Sequence, residues 1–96
     1  MVQVVKFDIA DFLRNPATAS AYLNEILADG DQDEFLGALG DIARAYGSSN
    51  LAAAANISRD AVYKALKEGG NPTVSTLRSI LGAIGLQLVV APAASM

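Results

Sequence analysis

The chain has 96 residues, 52% hydrophobic and 18% charged, with a net charge of −3 and neither His nor Cys. These figures fit one domain with a modest core, residues 1–96, and exclude an intrinsically disordered chain, a disulfide framework and a thiolate metal site. No apolar run approaches the ~20 residues that span a bilayer, and VQVVKFD after Met1 lacks the basic-then-apolar pattern of a secretion signal, so a cytoplasmic protein with no membrane partner is expected.

Val2 and Val4, with Gln3 between them, suggest a short strand or extended arm over residues 1–7. Asp8 to Leu13 suit one helical turn. Asn15-Pro16 then sets a boundary, with Pro at the first position of a helix running to about Ala28. Its apolar positions Ala19, Tyr22, Leu23, Ile26 and Leu27 recur at helical spacing. Gly30 ends it. Asp31 opens the next helix with Glu34 three residues on, a capping-box spacing. Phe35, Leu36, Leu39, Ile42, Ala43 and Tyr46 form its buried stripe, and Gly47 stops it.

Residues 48–67, SSNLAAAANISRDAVYKALK, read as a helix-turn-helix. Leu51 to Ala55 are strong helix formers. Asn56 falls where a tight turn needs a left-handed residue, which Asn tolerates better than any residue except Gly. Ser58 follows as an N-cap. The second helix has Val62, Ala65 and Leu66 on one side, and Arg59, Asp60, Tyr63, Lys64 and Lys67 on the other. A recognition helix needs such faces, and an ordinary amphipathic surface helix has them too. Charge is divided along the chain. Residues 1–47 hold three cations against eight carboxylates, a balance of −5, whereas residues 48–96 hold four against two, a balance of +2. That division suits a polyanion at one end and a basic protein at the other, or an acidic domain that is simply soluble.

Glu68-Gly69-Gly70-Asn71-Pro72 is a loop with strong helix-stop residues. Thr73 caps a further helix with Val74, Leu77, Ile80, Leu81 and Ile84 inside. Gly85 terminates it. Leu86-Gln87-Leu88-Val89-Val90 predicts a terminal strand over 86–91, and residues 92–96 a tail. A lone strand leaves backbone groups without partners. The strand pairs with Val2–Phe7, or with its own copy across a two-fold axis, burying Leu86, Leu88 and Val90 in a homodimer. The alternative is a tail laid over the core. The dimer is preferred because four cations per chain make a small footprint for DNA. The expected architecture is all-α: five helices, a short C-terminal β-strand and a candidate N-terminal one.

The order of helix, helix-turn-helix, Gly-Asn-Pro loop and capped helix resembles the lambda-repressor-like, Xre-type DNA-binding fold. More narrowly, YLNEIL, FLGALGDIARAYG, LAAAANISRDAVYKAL and GNPTVSTLRSILGAIGLQL resemble the addiction-module antidote family, antitoxins of type II toxin–antitoxin pairs. The resemblance covers roughly residues 7 to 90. Its most specific pieces are Tyr63 through Leu77 and Ala38 to Ala45. Asn56 departs from the usual Gly but suits the same turn.

The resemblance implies an antitoxin that neutralises a RelE/ParE-type toxin and represses its own operon as a dimer. Two recognition helices would enter successive major grooves ~34 Å apart or a multiple of that. Arg59 is placed to read guanine bidentately, and Lys64 to reach a base or phosphate. Tyr63 suits a phosphate or a thymine methyl. Asp60 either accepts from cytosine or orients Arg59. Ser48, Ser49 and Asn50 suit phosphate at a helix N-terminus, and Ser58, Lys67, Asn71 and Thr73 suit the DNA backbone or act only as caps, turn and solvated charge. Asp29, Asp31, Asp33 and Glu34 are the natural face for a basic toxin, or carboxylates that favour their own helix dipoles.

Enzymatic roles fare worse. Without His or Cys the usual general base and thiol nucleophile are missing. GGNP lacks the setting of a phosphate-binding loop, and the carboxylates of 29–34 match no calcium loop, so no cofactor or metal is expected. A stand-alone prophage- or plasmid-type repressor and a protein-binding adaptor are the alternatives to an antitoxin.

Overall fold

The computed structural model describes residues 14–93. The expected arm 1–7, the turn 8–13 and tail residues 94–96 lie outside them. Five helices follow in order among the described residues: α1 (Pro16–Asp29), α2 (Gln32–Tyr46), α3 (Ser48–Ala55), α4 (Arg59–Leu66) and α5 (Val74–Ala83). None is long and apolar enough to cross a membrane.

Local chemistry sets the boundaries. Asn15 Oδ1 accepts from the N–H of Ala17 (3.0 Å), and Pro16 opens α1 where its missing N–H costs nothing. Asp31 Oδ1 accepts from the N–H of Glu34 at 2.8 Å. Asp33 and Glu34 in the first turn of α2 and Arg44 in its last complement the helix dipole. Gly47 ends α2 at φ 92°, outside the comfortable range of other residues.

Helix α2 is the hub. Helix α1 packs on it, α3 and α4 pack against it, and α5 closes over α3 and α4. Leu36, Leu39 and Ile42 of α2 meet Leu51 of α3 and Ile80 of α5, all among the largest fully buried side chains, with Ile84 just past α5. No polar or charged residue is buried among the described ones. Tyr46 shows how a polar group is kept satisfied at the margin: its hydroxyl lies 2.9 Å from the Arg14 carbonyl and 3.4 Å from that of Ile84.

Three expectations are corrected. Residues 86–90 form no strand, and no β-strand occurs among the described residues. The Leu86 N–H instead donates to the Leu81 carbonyl at 2.8 Å, and the side chain is half-buried against the core. Beyond it Leu88, Val89 and Val90 are exposed, because no described segment offers a ladder. Leu27, placed on the inner stripe of α1, is 56% exposed, since α1 packs on α2 alone among the helices. Val74, placed on the inner face of α5, is 64% exposed at the first residue of that helix.

Candidate nucleic-acid interface

Two eight-residue helices, α3 and α4, are joined by a turn that depends on Asn56. It has φ 58° and ψ 42°, the left-handed region, and is the one non-glycine with positive φ among the described residues. Its N–H donates to the Ala53 carbonyl, and that of Ile57 to the Ala52 carbonyl, so the end of α3 is closed. Ser58 Oγ then accepts from the Ala61 N–H at 3.0 Å and starts α4. With Val62 and Ala65 buried, the opposite side of α4 faces outward. Arg59, Asp60, Tyr63 and Lys64 are all exposed, Tyr63 by 69%.

Lys64 Nζ is 3.0 Å from Asp60 Oδ2, one turn away on the same helix. The orienting role for Asp60 toward Arg59 is therefore not what is observed: the carboxylate pairs with Lys64. Both side chains are about two-thirds exposed, so such a pair stabilises by only about 0.3–0.5 kcal/mol and is readily exchanged for another partner. Arg59 and Lys67 have no ion-pair partner among the described residues.

A groove of about 560 Å³ runs between α2 and α4. Arg59, Asp60, Tyr63 and Lys67 line one side, with Val62 and Leu66 below, and Gly40, Ala43, Arg44 and Ser48 the other. Gly40 contributes no side chain to it, although the space would admit one. A Cβ there would lie 3.6 Å from Arg44 Nη1 and 4.0 Å from Leu66 Cβ. Arg44, paired with Asp41 on its own helix, is the residue that sequence reasoning missed. It belongs by position to the acidic half, yet the fold carries it to the basic face. Gly40, Ala43 and Arg44 at i, i+3 and i+4 share one side of a helix, which is the one sequence signal that pointed there.

The residues expected at a DNA backbone are divided. Ser48 and Lys67 line the groove. Ser49 and Asn50 are exposed in the first turn of α3, which has no side-chain cap at its N-terminus, and Asn50 Nδ2 donates to the Tyr46 carbonyl at 3.4 Å. Ser58 caps α4, and Thr73 caps α5 by accepting from the Thr76 N–H at 3.1 Å. Asn71 is exposed in the loop between α4 and α5, away from the groove.

The acidic residues also have local duties. Asp29 ends α1 and Asp31 caps α2. Asp33 Oδ1 accepts from the Gly69 N–H at 3.1 Å, beside the bond from Gln32 Nε2 to the Gly70 carbonyl at 3.2 Å. Together they tie the start of α2 to the loop after α4. Asp31, Asp33, Glu34 and Glu68 border a shallow hollow, and Glu68 was not singled out from the sequence. Among the described residues no group of three or more carboxylates is placed to hold a metal ion.

A family model described as "Probable addiction module antidote protein" matches residues 3–92. A protein of Haemophilus influenzae (strain ATCC 51907 / DSM 11121 / KW20 / Rd), described as uncharacterized, is 44% identical over 88 residues, covering 92% of this chain and 91% of its own. No solved structure matches significantly.

Proposed function

The chain belongs to the probable addiction module antidote family, and from that premise we propose that it is an antitoxin that binds operator DNA through α3 and α4 as a homodimer. One observation carries the DNA reading. The left-handed turn at Asn56 joins two short helices so that α4 presents Arg59, Tyr63 and Lys64 outward while Val62 and Ala65 anchor it. In this reading Arg59 contacts a guanine, and Lys64 leaves Asp60 for a base or phosphate. Ser48, Ser49, Asn50 and Lys67 contact the backbone, with Ser58, Asn71 and Thr73 at its margin.

The dimer forms through residues 86–90, whose apolar side chains Leu88 and Val90 are exposed and whose backbone groups past Leu86 have no partner among the described residues. The partner in the toxin–antitoxin pair is a basic RelE/ParE-type toxin. The carboxylates Asp29, Asp31, Asp33 and Glu34 supply its steering field, since charge complementarity sets on-rate and discrimination. Binding of toxin and operator by one chain makes autoregulation the expected consequence.

The test is binding of the purified protein to a fluorescent duplex of its own upstream region beside a scrambled duplex. Preference for the upstream duplex, weakening with salt and lost on Arg59→Ala, is the expected result. Equal or absent binding to both would sink autoregulation by the free protein. The antitoxin half is tested by co-expression with the product of the adjacent reading frame: growth arrest relieved by this chain is expected, and unrelieved arrest excludes neutralisation.

A further inference from the structure

The groove between α2 and α4 gathers cations from three places in the chain: the last turn of α2 (Arg44), the first turn of α4 (Arg59) and the residue that closes α4 (Lys67). Asp60 is the single carboxylate lining it, and it is paired with Lys64. Between the cations the lining is bare or apolar, from Gly40, Ala43, Val62 and Leu66, and low polarity beside a charge strengthens its field.

We propose that this groove seats one backbone phosphate of the operator, and that Arg44 clamps it by exchanging Asp41 for the phosphate oxygens. The proposal rests on the DNA-binding reading above and adds a second helix to the contact. Arg44 suits the role because a guanidinium fork matches two phosphate oxygens at once. Its present partner holds it weakly, for the Arg44 and Asp41 side chains are 69% and 48% exposed. Gly40 leaves the space beside it, and Lys67 adds a point charge from the other wall. A phosphate fixed there would set the register of α4 and leave Arg59 for a base edge.

The experiment titrates wild type and variants against the upstream and scrambled duplexes from about 50 to 200 mM salt. Arg44→Ala is expected to weaken binding to both duplexes about tenfold, the scale of one lost charged hydrogen bond. It should also make the log–log salt slope shallower by about 0.9 per subunit while leaving the preference between duplexes unchanged. Arg44→Lys should restore the slope but not the full affinity. Asp41→Asn, which releases the guanidinium, should tighten binding to both. Wild-type affinity and slope in Arg44→Ala would overturn the clamp and leave the role of α4 standing. An altered duplex preference with unchanged slope would overturn it too, by making Arg44 a base reader. If the wild-type protein binds neither duplex, the DNA reading itself fails and the clamp falls with it. Matching thermal melts confirm that the exposed substitutions leave the fold intact.

Discussion

Asn56 holds φ 58° and ψ 42°, a conformation that costs an ordinary L-residue about 1–2 kcal/mol. Its replacement therefore tests whether the turn is set locally. Asn56→Gly should leave the urea midpoint nearly unchanged, because relief of strain offsets the extra freedom of the unfolded chain. Asn56→Val, branched at Cβ, should lower stability by about 1–2 kcal/mol and, by tilting α4, weaken DNA binding more than the stability loss explains. Equal midpoints for Gly and Val would show that the turn tolerates any residue. Positions like this are legible from sequence because the physics is local: Asn in a short gap between helices has few other uses. For Arg44 only a shared helix side with Gly40 and Ala43 was legible, since its groove exists only after α2 and α4 pack. The Asp60–Lys64 pair was open to reading, as the two stand four apart on a helix.

At the scale of elements, capping side chains mark where four of the five helices begin: Asn15, Asp31, Ser58 and Thr73 each accept from a backbone N–H two or three residues on. All four were readable because a cap and its helix are neighbours in sequence. The loop between α4 and α5, legible in the sequence as a helix stop, also depends on a close approach of its backbone to the end of α4. A Cβ on Gly70 would come within 2.4 Å of the Ala65 carbonyl oxygen and 2.8 Å of that of Lys67, both immobile backbone. Gly70→Ala must therefore open the loop and pull its carbonyl from Gln32. A loss of about 1–3 kcal/mol is expected, read from denaturant midpoints. Gly69→Ala, at φ 75° but in open space, should cost about 1 kcal/mol, from backbone strain alone. A Gly70 variant no less stable than the Gly69 variant would refute this packing argument. The terminal segment is the opposite case. Leu86 to Val90 has the composition of a strand, but a strand is a property of two segments, and no described residue supplies the second.

For the whole molecule, the weak point of the proposed DNA binding is its small number of cations. The second half carries four cations, and an isolated chain neutralises too few phosphates for useful affinity, so the proposed function requires two copies acting together. The surface offered for that lies between α1 and the segment after α5. Leu27, 56% exposed, and Val89, 68% exposed, line a hollow of about 330 Å³ with Leu23, Phe35 and Leu88, and Val90, next in the chain, is 95% exposed. Contiguous apolar exposure of this kind marks an interaction surface more often than it marks a free one. Leu88→Asp with Val90→Asp should therefore convert a sedimenting dimer into a monomer whose thermal midpoint no longer rises with protein concentration, with helical content unchanged because neither side chain belongs to the core. Operator affinity should fall by far more than the loss of any single cation, since binding of the second half-site ceases to be intramolecular. A variant that stays dimeric would move the seam elsewhere on the molecule. A wild-type chain that is monomeric at micromolar concentration would leave DNA itself to bring the two copies together, and would make binding steeply dependent on protein concentration.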